Sequence, residues 1–251
     1  KVHNYRGGRH SIHLDEETIQ ALRELSLAEG ATTFMALLAA FKLLLARYSG
    51  QDDICVGTPS ANRSQPQLES LIGYFVNTLV IRTQFDGITS FRKLLTSVRD
   101  SCLQAYDHQE IPFEKLVTSL GVQRDLSHNP LFQVLFVHQK VTQGQAPGGT
   151  SRQRGPEQET SNFDLVLNVQ ESLGSVECTL LYNSDLFDAD TVERMCGHLK
   201  LLIAQCAVEP DRPFSKVSML LEDERSQLLN EFSCQETLAV ENRPIQQLIT
   251  Q

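Results

Sequence analysis

Phe34, Leu37, Leu38, Phe41, Leu44, Leu45 and Tyr48 recur at steps of three and four, an apolar stripe that predicts a helix. Met35, Ala36, Ala39, Ala40 and Leu43 fill much of its remaining circumference, so burial on more than one side is expected. Thr32 or Thr33 offers its N-cap, and Ser49-Gly50 its stop. Ahead of it, His10 to Leu14 alternates as a short strand. Asp15 then caps a helix that buries Ile19, Leu22 and Leu25 and stops at Gly30. Ser90 caps a helix bearing Phe91, Leu94, Leu95, Val98, Cys102 and Tyr106. Pro112 suits the first turn of a shorter one that runs to Leu120, before Gly121. Asp188 caps a long helix with Val192, Met195, Leu199 and Leu202 on one face, and a weaker pattern over Leu221 to Phe232 predicts a last short one.

Between the helices lie apolar runs of strand length: Ile54–Thr58, Ile72–Arg82, Leu131–His138, Phe163–Glu171 and Val176–Asn183. The last two read as a hairpin turning at Leu173-Gly174. Ile72–Arg82 is the most informative. With period two, Phe75, Asn77, Leu79 and Ile81 share one face, and Val76, Thr78, Val80 and Arg82 the other. An amide and a guanidinium on a buried strand need partners, so the strand is either structural with satisfied polar groups or the border of a site. Strands interleaved with helices predict an α/β sandwich, a mixed sheet packed against helices. Residues 1–9 read as an incoming linker, 10–220 as the folded body and 221–251 as an outgoing linker. Val141–Ser161 turns abruptly to Gly, Gln, Ser, Pro and Arg, which predicts a mobile loop or an arm that orders only against something else.

Composition narrows the function classes. The chain has 251 residues and a formal net charge of −9, which argues against nucleic acid as a partner. The longest apolar run, Phe34 to Ala46, contains Lys42 and is too short to span a bilayer, so no membrane role is expected. Six cysteines lie far apart with no C-x-x-C pair, which predicts reduced thiols, no metal site and a cytoplasmic location. No phosphate-binding glycine loop and no G-x-S-x-G elbow occurs. His10 and His13 point to opposite faces of a strand, and His138 reads as a core residue. His198 lacks a carboxylate partner at helical spacing.

Three dense strings remain. The first is Ile72-Gly73-Tyr74-Phe75-Val76-Asn77-Thr78 with Arg82. The second is His108-Gln109-Glu110-Ile111-Pro112-Phe113-Glu114. The third is Arg124-Asp125-Leu126-Ser127-His128-Asn129-Pro130-Leu131. On their own, the second reads as a helix stop and restart, and the third as a polar turn. Together, in this order, they resemble three signature motifs of nonribosomal peptide synthetase condensation domains, and the resemblance extends over nearly the whole chain.

The resemblance implies a chloramphenicol-acetyltransferase-like fold and amide-bond formation between a donor acyl or peptidyl thioester and an acceptor aminoacyl thioester. No cofactor is expected to bind directly, since the substrates ride on phosphopantetheine arms of donor and acceptor carrier proteins. The family's H-H-x-x-x-D-G string, with its catalytic histidine, does not occur here. The chain therefore resembles the C-terminal half of such a domain plus the start of a linker to an adenylation domain. It is expected to be inert without its N-terminal subdomain. Thr58, Ser60, Asn77 and Thr78 are the expected tunnel contacts. Arg82 and Arg124 are expected to brace the scaffold, and Gly73, Phe75, His108, Gln109, Pro112, Phe113, Asp125, Ser127, Asn129 and Pro130 to carry motif or structural roles. Residues 141–161 correspond to the family's latch-like arm. An exposed face left by a missing half implies self-association. The competing readings are a docking half-domain without chemistry of its own and a related heterocyclisation domain.

Overall fold

The computed structural model describes residues 7–63, 67, 71–122, 129–140, 163–172 and 174–230. The chain divides into two compact units, Lys1–Met219 and Leu220–Gln251. In the first, strands β1 (Gly7–Leu14), β2 (Asp53–Ser60), β3 (Asn77–Gln84), β4 (Val134–Lys140), β5 (Leu165–Ser172) and β6 (Ser175–Asn183) form one sheet. Its order is β1-β6-β5-β4-β2-β3. β1 with β6, β5 with β6 and β2 with β3 run antiparallel, while β4 runs parallel to both β5 and β2, so the sheet is mixed as expected.

Helices α1 (Glu16–Ala28), α2 (Thr33–Ser49), α3 (Phe91–Asp107) and α5 (Ala189–Val208) share one core with a single face of that sheet. Alternate strand residues supply this face: Val56, Ile81, Phe136, Leu167, Val169, Cys178 and Leu180 are all buried. α2 lies at the centre, and every residue from Met35 to Leu44 is buried. Asp15 caps α1 through the Thr18 amide at 2.8 Å, and Thr32 caps α2 through the Met35 amide at 3.3 Å. Each such cap is worth about 1 kcal/mol. Ser90 and Asp188 occupy their cap positions without a side-chain bond. The short α4 (Phe113–Ser119) follows α3. In the second unit, α6 (Glu222–Asn230) has no buried residue and exposes Leu228 and Leu229.

Three boundaries differ from expectation for one reason, the availability of a partner strand. The run Ile72–Val76 is not strand: Ile72 and Tyr74 are almost wholly exposed, and pairing begins at Asn77, opposite the last residue of β2, Ser60. β1 starts at Gly7, inside the expected linker, because Asn183 and Tyr182 extend β6 far enough to pair with Gly7 and Gly8. β4 starts at Val134, opposite Leu165, the first residue of β5.

The centre of the core contains a cation. Lys42, with no exposure, donates to Ile81 O at 2.6 Å, Thr83 Oγ1 at 2.8 Å and Ile54 O at 3.3 Å. Three acceptors match the three donors of an ammonium group. Burial nevertheless pulls its pKa from 10.5 down to about 7, with Cys102, Cys55 and Asp53 opposing the shift. The unfolded chain thus holds this proton more tightly than the folded one. The cost is full below the folded value and fades as pH rises toward 10.5. Urea denaturation should show stability rising between about pH 7 and pH 9, with that rise flattened in Lys42→Met. Parallel curves for the two proteins would exclude the assignment.

Candidate functional site

The open end of the β2–β3 pair gathers the motif residues. Ser60 and Asn77 are direct cross-strand partners there. The Asn77 carboxamide donates to Gln109 O at 2.8 Å and Ile111 O at 2.7 Å, and its Oδ1 accepts from the Phe113 amide at 3.2 Å. Ser60 Oγ donates to Gln109 Oε1 at 2.9 Å and accepts from the Asn62 amide at 3.3 Å. One side chain of the first string therefore grips the backbone of the second on both sides of Pro112. The α3–α4 connection has to leave one helix at His108 and enter the next at Pro112, so its backbone groups cannot pair in a ladder.

The residue that follows the third string joins through an aromatic contact. Asn129 Oδ1 accepts from the Leu131 amide at 3.3 Å, a local turn that leads into Phe132. The Phe132 ring meets Phe113 edge-on at 5.8 Å between centroids and stacks on Phe163 at 5.5 Å. It lies where a Cβ on Gly57 would be, 2.3 Å from the ring's Cε2. Gly57 belongs to the strand positions facing away from the main helix layer, so Phe132 and Phe113 pack together on that opposite face. The rest of the face is half-buried and mixed, with Cys55, Leu135, Val137, Val166, Asn168 and Thr179. Burial pushes the Cys55 thiol up, so it stays protonated rather than becoming a nucleophile.

Beside the Asn77 end, the segment Leu71–Val76 is presented to solvent. Arg63 steadies it by donating to Leu71 O at 3.0 Å and by placing its guanidinium over the Phe75 ring at 4.6 Å. Gly73 is fitted to the same ring, since a Cβ there would lie 2.9 Å from Phe75 Cε2.

The other expected residues are spread more widely. Thr58 is buried and shares the helix-covered face with Val56 and Leu79, beneath the sheet rather than above it. Thr78 is half-buried on the opposite face, across from Pro59. Arg82 is mostly exposed and bidentate to Asp53 at 2.6 and 2.9 Å, which holds that carboxyl below its usual range. Such an exposed pair contributes little to stability. His108 is exposed at the C-cap of α3, and Pro130 is half-buried. Arg124, Asp125 and Ser127 lie outside the described residues, as do the 141–161 arm and the chain beyond 230.

Two further histidines serve the scaffold. His198 is buried and its Nδ1 bonds the Tyr48 hydroxyl at 2.8 Å. His138 Nε2 stands 3.2 Å from Glu171 Oε2, close but without the alignment of a hydrogen bond. Arg23 holds the other Glu171 oxygen at 2.8 Å. Burial pulls the His138 imidazole down and Glu171 opposes it. Among the described residues no cluster of His, Cys, Asp or Glu is arranged to hold a metal ion. No single described helix is long and apolar enough to cross a membrane.

The family model of the condensation domain matches residues 1–229. The chain belongs to the condensation-domain family. This condensation-domain chain is 45% identical over 232 residues to a component of the linear gramicidin synthase of Brevibacillus parabrevis, covering 91% of itself and 3% of that protein. It is 37% identical over 252 residues to surfactin synthase subunit 1 of Bacillus subtilis (strain 168), covering 98% of itself and 7% of that protein. It thus spans a small fraction of the curated relatives it matches. Among solved structures, it superposes on a four-domain nonribosomal peptide synthetase bound to AMP and glycine with TM-score 0.79 and 25% identity. That match covers 90% of this chain and 18% of the synthetase. The X-domain from teicoplanin biosynthesis gives TM-score 0.77 and 26% identity, over 86% of this chain and 50% of the X-domain.

The contact of Phe132 with Gly57 is directly testable. Gly57→Ala should destabilise the protein by about 1–3 kcal/mol through overpacking. Phe132→Ala in the same chain should relieve the clash, so urea denaturation should give a double variant less damaged than the sum of the singles.

Proposed function

We propose that this chain is the C-terminal half of a condensation domain that forms an amide bond between two carrier-bound substrates. The acceptor amine attacks the donor thioester carbonyl; the new C–N bond replaces the C–S bond, and the donor's pantetheine leaves as a thiol. The observation that carries this reading is the grip of Asn77 on residues 109–113, which joins two separated motifs at one end of the sheet, on a chain of the condensation family. In this reading Thr78 and the neighbouring loop line one wall of the tunnel. The opposite wall belongs to an N-terminal subdomain that carries H-H-x-x-x-D-G. The other partners are donor and acceptor carrier proteins and an adjoining adenylation domain, in a cytoplasmic setting.

The division of labour follows from what the site holds. Amide formation needs the amine proton removed or the nucleophile oriented, and the described histidines sit in the scaffold, on an outer strand or at a helix end. This half contributes enclosure and orientation, which alone can supply several kcal/mol of a barrier. We therefore propose that it is inert by itself and associates, with itself or with its other half, through the face opposite the helix layer. A docking role without chemistry is the second reading. It is favoured by the similarity, at 27% identity and TM-score 0.78, to an X-domain solved in complex with OxyB.

Carrier proteins loaded with donor and acceptor test both. The chain alone should give no amide, and an uninterrupted domain containing it should give product that vanishes on His→Ala in the H-H-x-x-x-D-G string. Product from the chain alone would overturn the inert-half proposal. Carrier binding by the complete domain without any turnover would establish docking instead.

A further inference from the structure

The Asn77 side chain makes three hydrogen bonds to a single segment. Its amide nitrogen uses both hydrogens and its oxygen one lone pair, all on backbone groups of one segment between residues 109 and 113. Ser60, directly opposite across the strand pair, holds the Gln109 side chain of the same segment. Pro112 interrupts that segment and has no N–H to offer, so the carboxamide supplies what a neighbouring strand would otherwise give. Yet this is a poor place to gain stability. Asn77 is half-buried, Ile111 is 46% exposed, and Tyr74 and Ile72 nearby in sequence are almost wholly exposed. Water can replace freed hydrogen bonds here at small cost. What the contacts fix is a geometry: the distance of the segment from the end of the strand pair, the seat of Phe113 against Phe132, and the direction in which His108 and Ile111 are presented.

We propose that Asn77, with Ser60 as its companion, is a positioning residue for amide formation, acting through the 108–113 segment rather than by touching substrate. The proposal rests on the reading of the chain as half of a condensation domain. It reassigns Asn77, expected from the sequence to contact substrate, because its three engaged groups leave one lone pair for anything else.

The test uses an uninterrupted condensation domain containing this sequence, with Asn77→Ala, Asn77→Asp and Ser60→Ala, and loaded carrier proteins as substrates. Asn77→Asp keeps size and the acceptor for the Phe113 amide but sets a second oxygen against two carbonyls, so it isolates the donors. Amide hydrogen exchange at Phe113 should accelerate about tenfold in Asn77→Ala, the loss of one good hydrogen bond, and much less in Asn77→Asp. Both should lower kcat at least about tenfold with KM for the loaded acceptor within about threefold, while the melting temperature moves only a few degrees. Ser60→Ala should lower kcat more weakly in the same direction. Faster Phe113 exchange with unchanged kcat would overturn the proposal, as would a loss of activity that only tracks the unfolded fraction. A wild-type domain that forms no amide would overturn the functional reading and this one with it. An active wild type with unaffected variants would overturn this inference alone.

Discussion

A buried ammonium group ties the helix layer to the sheet. Lys42 projects from the middle of α2 and ends among Ile54 O of β2 and Ile81 O and Thr83 Oγ1 of β3. An unpaired charge at that depth would cost several kcal/mol, so the two strands and the helix must sit in one mutual arrangement. That arrangement fixes the register of β2 on β3, and the register sets Ser60 opposite Asn77. Those two residues then fix the α3–α4 connection. A line of dependence runs from the driest point of the molecule to its exposed rim. Arg47 makes the corresponding tie at the end of α2, donating to Phe214 O at 2.6 Å and Val217 O at 2.8 Å.

The two faces of the sheet obey different rules. The helix-covered face is mainly hydrocarbon, with Lys42, Thr58, Thr83 and the Cys178 thiol among its buried polar groups. On α1 the buried Ser26 donates to Leu22 O at 2.7 Å. The other face mixes Val, Leu, Asn, Thr and Gln, and its tightest apolar packing gathers where Phe132 fills the space left by Gly57. The first two motifs, far apart in sequence, meet beside this small cluster, and the residues that follow the third pack into it.

The layers and element types were legible because apolar periodicity reports burial directly, as the α2 stripe and the β5–β6 hairpin illustrate. Pairing beyond that hairpin was not legible. Ile72–Val76 has the composition of a strand, but β2 ends at Ser60, and among the described residues no strand lies opposite it. Thr58 fell on the covered face for the same reason, since a register read from composition alone does not say which parity faces the helices. Asn77 stood out as an awkward amide, yet its partners lie 32 to 36 positions away, a distance that no local pattern spans. Arg82 looked like a buried guanidinium and instead faces solvent, because β3 is the edge strand among the described residues.

The sheet order also governs how the chain can be made. Among the described strands β1 pairs only with β6, and Ser11 touches Thr179 across 168 positions. A ribosome adding about 5–20 residues per second leaves β1 waiting on the order of ten to thirty seconds for its mate. During that interval an unpaired edge is available to neighbouring nascent chains on the same messenger. Arg9, His10 and His13 interrupt the apolar character of this strand, and a charge such as that of Arg9 discourages adventitious strand pairing. Polar side chains on the rim of the finished sheet thereby protect the chain while it is still being synthesised.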